Sequence, residues 1–380
     1  MNFSNSSRYL AATEYPQLEH PIKQGSLRLP DNESARGLAA GMREAFAAYG
    51  AARTGAARPK CVLFVVQGGK RNVFDQRHLE YELQRLSVPV FRVAFAEVLA
   101  RTRVDEAAGR ALLYAPPHLP PGRAALEVAV VYLRAGYGPD DYPDAAAWDA
   151  RFRLERSAAI KCPTVLTQIA GTKKVQQVLA TPAEATTASP SASVADAPPP
   201  PPILERFLRR ASSTAPADAS AAAAQIARTF TNIYPLDGGS AAGRAARALA
   251  QDPARSQSYV LKPQREGGGN NVYRGAIPGF LASVPEAHWG SHVLMELITP
   301  PPVRNAILRA GRLERGGVIC ELGVYGSCVW DAGAGDGDGG PGVRVLHNDT
   351  AGYLLRTKGD QSEEGGVAAG FGCMDSVAFE

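Results

Sequence analysis

The chain has 380 residues, 45% of them hydrophobic, enough to bury a large core and, as a prior, to divide into two or three domains. Its 41 basic and 37 acidic residues leave a formal net charge of +4, too small a surplus to indicate nucleic acid as a partner. The five cysteines (Cys61, Cys162, Cys320, Cys328, Cys373) are scattered without a C-x-x-C pair, a pattern of reduced cytosolic thiols rather than a disulfide framework or zinc site. The opening MNFSNSSRYL has neither region of a signal peptide, and runs such as CVLFVV are too short to cross a bilayer. The expectation is a globular, cytoplasmic protein with no membrane partner.

Residues 1–30 show little periodicity. NESARGLAAGMREAFAAYG then reads as a helix, capped by Asn32 or Ser34 and stopped at Gly50. KCVLFVVQ is a continuous β-rich run of the kind buried on both faces, followed by a helical VFDQRHLEYELQRL and a second apolar run, VPVFRVAF. LEVAVVYLRAGY adds a buried strand and DAAAWDARFRLERSAA a helix, so residues 56–168 resemble a doubly wound α/β unit whose ligands bind beyond the carboxyl ends of its strands. Those ends carry QGGKRNVFDQR and RAGY. Lys70, Arg71 and Arg134 are singly no more than a solvated rim, but two basic clusters at one end of a sheet point toward an anionic ligand. The apolar settings of Cys61 and Cys162 mark them as core residues.

From Thr181 to Pro202, TPAEATTASPSASVADAPPPPP is low in complexity and reads as a connector or insertion. ASAAAAQIARTFTNIY reads as a helix and, after Asp237-Gly238-Gly239, so does AAGRAARALAQ. Near the end, DAGAGDGDGGPG (331–342) lies between GVYGSCVW and VRVLHND, as the tip of a long hairpin would. Its formal G-x-G-x-x-G has no strand–loop–helix context and carries no weight.

The stretch SYVLKPQREGGGNNVYRG (258–275) holds the most chemistry. A strand ends in Lys262-Pro263, and three glycines with flanking Lys, Arg and Glu suit a polyphosphate, because backbone N–H groups approach oxygens closely where no Cβ intervenes. Glu266 beside phosphates would be repelled unless a divalent cation lay between them, and Mg²⁺ takes one or two carboxylates plus phosphate oxygens. A flexible turn with a solvated charge cluster explains the same residues equally well, so both readings stand at this point.

LKPQREGGGNNVY, QIAGTKKVQQ, NVFDQR, LMELITPPP, ICELGVYG and LLRTKGDQSEEGGVAAG resemble, in order, segments of eukaryotic-type glutathione synthetase, over nearly all of Gly37 to Met374. The resemblance implies an α/β ATP-grasp fold in circularly permuted order, with an inserted doubly wound substrate-binding domain at 56–168 and an ATP-binding region with its lid at 169–380. It implies a homodimer using ATP and Mg²⁺ to ligate γ-glutamylcysteine to glycine through an acyl phosphate.

By the same resemblance Lys262 reaches phosphates, Glu266 holds Mg²⁺, and Gln264 and Gly267, Gly268, Gly269, Asn270 and Asn271 form the loop over the triphosphate, with Tyr273 beside the nucleotide. Lys173 is a second ATP-contacting lysine. Met295, Glu296, Leu297 and Ile298 line the adenine pocket, with Glu296 accepting from an amino group; Glu321, Lys358 and Glu364 are further nucleotide contacts, the last where the family tends to carry aspartate. Lys70, Arg71, Asn72 and Gln76 match the peptide-binding segment, whose first position is commonly acidic. Arg134, Ala135, Gly136 and Tyr137 match a motif usually written R-D-G-Y. Arg356 resembles a clamp for a substrate carboxylate, acting with Lys262 at the reacting groups, and Val367 and Ala368 lie on a loop that closes over the peptide.

The family also carries an earlier segment with an E-x-N metal motif, a substrate arginine and peptide-binding serines. Residues 1–36 hold no counterpart, since DNES at 31–34 has the wrong order. The expectation is a chain lacking one metal carboxylate and part of the substrate wall, with a catalytically impaired, nucleotide-binding chain or partner subunit as the alternative to an active ligase.

Overall fold

The computed structural model describes residues 28, 30–53, 58–69, 73–117, 126–181, 202–211, 216–264, 269–301, 303–309, 312–333, 343–363, 367, 372–377 and 379. The chain divides into two compact units, Met1–Val165 with Val303–Glu380, and Leu166–Pro302.

In chain order, the first unit begins with α1 (Ser34–Ala52), β1 (Lys60–Val66), α2 (Val73–Arg85), β2 (Val90–Ala94), α3 (Val98–Arg101), β3 (Thr102–Asp105), β4 (Ala111–Tyr114), β5 (Leu126–Arg134), α4 (Ala145–Arg156) and β6 (Ile160–Cys162). Strands β2, β1, β5 and β6 run parallel, while β3 and β4 form an antiparallel pair on the edge of β5. Edge pairing on β5 is split: β4 takes Leu126–Val128 and β6 takes Val130–Tyr132.

The alternation of β1 assembles both faces. Cys61, Leu63 and Val65 pack with Val98, Ala150 and Leu154 from α3 and α4. Val62, Phe64 and Val66 pack with Ala39, Met42 and Ala45 of α1 and Leu79 and Leu83 of α2. A strand whose successive side chains both enter a core must be apolar throughout, which explains the run CVLFVV. Cys162 departs from expectation: it ends the short edge strand β6 and is exposed, whereas Cys61 is buried.

Helix α1 also differs at both ends. Glu33 is its N-cap, without a side-chain cap bond. Asn32 instead reaches Tyr353, donating from Nδ2 to its carbonyl at 2.8 Å and accepting from its N–H at 3.1 Å. Gly50 does not stop the helix, because both flanks are anchored: the Tyr49 hydroxyl donates to buried Glu127 at 2.8 Å, and Arg53 Nε lies 3.1 Å from the same carboxylate.

The second unit follows with α5 (Val165–Ala170, spanning the boundary), α6 (Lys173–Ala180), α7 (Pro202–Ala211), α8 (Pro216–Ala227), β7 (Ile233–Pro235), α9 (Ala241–Gln251), β8 (Tyr259–Pro263), β9 (Val272–Tyr273), α10 (Ala276–Ser283) and β10 (His292–Glu296). Its antiparallel sheet runs β7-β10-β8-β9. One face packs Leu261, Leu294, Tyr234 and Tyr259 against Ala246 and Ala250 of α9 and Ile277 and Leu281 of α10. The helix expected over 219–234 ends at Ala227, and Ile233–Pro235 becomes a strand instead. Pairing with β10 buries Ile233 and Tyr234, a gain that an isolated Ala-rich helix continuing through Thr229 and Thr231 cannot match. Pro235 is tolerated because β7 is an edge strand.

The chain then returns to the first unit with β11 (Val303–Arg309), β12 (Arg312–Ala332), β13 (Val343–Gly359) and β14 (Cys373–Asp375), an antiparallel sheet in sequence order. The long hairpin is present: pairing of β12 with β13 extends to Ala332 and Val343, and its glycine-rich tip at 334–342 lies outside the described residues, as does most of the connector, 182–201. Helix α1 rests on this hairpin at close range. A Cβ on Gly37 would come within 2.5 Å of the Ala351 carbonyl oxygen, and one on Gly41 within 2.5 Å of Ser327 Cβ. Two glycines one turn apart thus let the helix close on the strands, Gly37 against the backbone of Ala351 and Gly41 against the side chain of Ser327.

Among the described residues, no helix is long and apolar enough to cross a membrane.

Candidate functional site

In the second unit, strand register sorts the predicted residues by face. Directly opposed residues of antiparallel strands share a face. Lys262 stands opposite Val293, and Val260 opposite both Met295 and Tyr273. Lys262, Met295 and Tyr273 therefore share one face, and the Leu261–Leu294 core occupies the other. Gln264, two residues beyond Lys262 and exposed, accepts from the Lys174 backbone N–H at 3.0 Å, tying the first turn of α6 to the end of β8. That turn is capped by Thr172, and Lys173 Nζ lies 3.4 Å from Gln176 Oε1.

Beyond β8, residues 265–268 are not described, so Glu266, Gly267 and Gly268 are expectations the structure does not reach. Gly269 has φ +83°, a left-handed backbone that glycine adopts without strain. Asn271 donates to the Tyr273 hydroxyl at 3.1 Å, and Asn270 is half-buried beside it in sequence.

Glu296 sits apart from Lys262. It lies on the core face, where Tyr234 donates to one carboxylate oxygen at 2.9 Å and Asn232 to the other at 3.0 Å. Burial, and then the neighbouring Glu296 charge, push the Tyr234 hydroxyl well above its ordinary pKa. The Glu296 backbone N–H donates to the Asn232 carbonyl at 3.0 Å and that of Leu297 to the Ser258 carbonyl at 2.9 Å, while Ile298 is exposed. Register, which no local pattern encodes, decides this.

In the first unit, Arg134 ends β5 with its guanidinium 6.0 Å from the Tyr132 ring centroid. Ala135 is buried in the sheet core. Gly136 turns the chain with φ +77°, where a Cβ would meet the Tyr142 hydroxyl at 2.9 Å. Tyr137 is half exposed, and its hydroxyl donates to Gln67 at 3.2 Å. The predicted Gln76 is buried on α2, where its carbonyl accepts from Arg92, which also binds Glu80 at 2.7 Å. Lys70, Arg71 and Asn72 lie outside the described residues.

Arg356 and Glu321 are register partners on β13 and β12 and form an ion pair. Lys358, two residues on, shares their face and donates to the Glu363 carbonyl at 2.8 Å, fastening the turn that follows β13. Val367 is half-buried, and Glu364 and Ala368 are not described.

Sequence reasoning missed Asp141 and Gln67, which knit the turn after β5 to the end of β1. The signal available was the turn-forming GPDDY, in which proline followed by aspartate favours a tight turn closed by side-chain-to-backbone bonds. Among the described residues, no group of three or more His, Cys, Asp or Glu gathers as a metal site.

The sequence model of the eukaryotic glutathione synthase ATP-binding domain matches residues 2–379. The chain is 38% identical over 317 residues to the glutathione synthetase large chain of Schizosaccharomyces pombe, covering 83% of this chain and 54% of that one. It is 37% identical over 347 residues to glutathione synthetase of Xenopus laevis, covering 91% and 61%. It thus spans little more than half the length of these relatives. The solved structure of a glutathione synthetase-like effector from Globodera pallida shares the fold, with a TM-score of 0.56 at 16% identity, over 91% of this chain and 62% of that one. A match running through almost the whole chain, on a mixed α/β framework shared with a glutathione synthetase-like protein, means that the chain belongs to the eukaryotic glutathione synthase family.

Proposed function

We propose that the chain carries the ligase activity of a glutathione synthetase: ATP phosphorylates the C-terminal carboxylate of γ-glutamylcysteine, and the amine of glycine then attacks the acyl phosphate, releasing phosphate beside ADP. The observation that supports this most is the sharing of one sheet face by Lys262, Met295 and Tyr273, next to the segment that leads into the glycine-rich loop. A lysine there neutralises phosphate oxygens, and apolar Met295 and aromatic Tyr273 suit a base. Arg134 and Tyr137, at the carboxyl end of a parallel strand, suit the peptide, and Arg356 suits its carboxylate. Such a site works by positioning reactants and stabilising charge on oxygens, without a protein nucleophile.

In this reading the two antiparallel sheets belong to an ATP-grasp fold in the family's permuted order, with residues 56–168 serving the peptide and 169–380 the nucleotide. Mg²⁺ enters as a partner of the phosphates, and Glu266 would be its carboxylate; one carboxylate plus phosphate oxygens is a donor set this ion ordinarily accepts. Bound there, it would neutralise charge on the transferring group. The five cysteines are free thiols, which suits a reducing compartment such as the cytosol, and we take the working form to be a homodimer.

The test is glycine-dependent phosphate release from ATP and γ-glutamylcysteine. Release that requires both amino substrates supports the ligase. ATP binding without release in any combination overturns it, leaving a nucleotide-binding chain.

A further inference from the structure

The loop after β5 is held by a single carboxylate. Asp141 Oδ2 accepts from three successive backbone N–H groups, those of Gly136 at 2.9 Å, Tyr137 at 3.2 Å and Gly138 at 3.4 Å. Its other oxygen accepts from Gln67 Nε2 at 2.6 Å, and the carbonyl of the same Gln67 amide accepts from the Tyr137 hydroxyl. Gln67 directly follows β1, and residues 136–138 follow β5, the strand beside it. On the opposite side of the turn, the Gly136 carbonyl accepts from Tyr142 at 2.8 Å and from Arg151 at 3.4 Å. The Gly136 peptide is therefore gripped at both its N–H and its C=O, in a backbone conformation open to glycine.

We propose that Asp141 is a positioning residue for the peptide substrate, locking the turn that follows Arg134 and carries Tyr137 to the end of β1; this rests on the function proposed above. Three converging N–H groups make an anion-binding nest. Because Asp141 already fills that nest, a carboxylate of the substrate is directed to the arginine instead. The same aspartate fixes the Tyr137 ring through Gln67, so one side chain sets both the charge and the shape of this wall. A site held to within a fraction of an ångström depends on such supporting bonds. A mere turn anchor would add stability and leave substrate affinity untouched.

The test titrates γ-glutamylcysteine, and separately ATP, into the 380-residue chain by calorimetry, with thermal unfolding alongside, for wild type, Asp141→Ala, Asp141→Asn and Gln67→Ala. Asp141→Ala should weaken dipeptide binding about tenfold while ATP binding stays within about twofold. Asp141→Asn, which keeps an acceptor oxygen for the backbone donors, should recover part of that loss. Gln67→Ala should show a smaller loss of dipeptide binding with no change in melting, and it decides the matter if Asp141→Ala does not fold. Unchanged dipeptide affinity in the variants overturns the positioning role alone, and so does a parallel fall in both affinities that follows the melting temperature. Absence of dipeptide binding to the wild type overturns the proposed function and this role with it.

Discussion

Arg356 and Glu321 face each other across the β12–β13 ladder and form an ion pair, so the arginine assigned to a substrate carboxylate already holds a carboxylate of the protein. Both side chains are substantially open to solvent, and an exposed pair of this kind is worth about 0–1 kcal/mol. Replacing Glu321 with Gln should shift the unfolding free energy by less than about 1 kcal/mol in a urea titration. Arg356→Ala should raise the KM for γ-glutamylcysteine at least about tenfold more than that for ATP. Equal changes in the two constants would remove the arginine from the peptide.

Lys262 and Glu296 belong to opposite faces of one sheet and should fail differently. Lys262→Ala should weaken ATP binding about tenfold or more and leave adenosine binding unaltered if, as proposed, the lysine serves phosphate and not base. Glu296→Ala strands the Tyr234 hydroxyl and the Asn232 amide without their acceptor, at a cost of about 1–3 kcal/mol in stability. Equilibrium unfolding and nucleotide titration of the two variants would separate these effects.

Gly37→Ala tests the close approach of α1 to the hairpin. Alanine favours a helix over glycine by about 1 kcal/mol. Here the added methyl would meet backbone atoms of Ala351, which no rotamer change can move aside, and overpacking of this kind costs about 1–3 kcal/mol. Net destabilisation is expected, and a raised melting temperature would show that the strands yield.

Burial pushes the Cys61 thiol from its ordinary value of 9.0 up to about 12. Maleimide labelling of the native protein at pH 8 should therefore modify exposed Cys320 and Cys328 and spare Cys61 until the chain unfolds. The unfolded thiol ionises near pH 9 while the folded one keeps its proton to about pH 12, so this group's contribution to stability is complete below pH 9 and declines as pH rises through that window. Cys61→Ala should flatten that part of the stability profile.

Much of this molecule was legible in order. The apolar run at 61–66 read as a strand covered on both faces, and the stretch from Asn32 to Gly50 as a helix, which runs from Ser34 to Ala52. The glycine-rich tip between two β-rich runs marked the hairpin, and the strand ending at Lys262-Pro263 was legible from its apolar run. These are local signals, fixed by side-chain volume, period and turn propensity, and they survive without a partner.

Partners decided the rest. Ile233–Pro235 is a strand because β10 lies beside it, and Cys162 is exposed because β6 ends at a sheet edge. Asn32 serves Tyr353, more than three hundred residues away, rather than the helix it precedes. Glu296 faces the core and Lys262 the other side only because β8 and β10 pair in one register; a slip of a single residue would exchange them. Arg356 meets Glu321, and Asp141 gathers the N–H groups of its turn, for the same reason: hydrogen bonds and ion pairs act over a few ångströms of space, and tertiary packing alone determines which residues come that close.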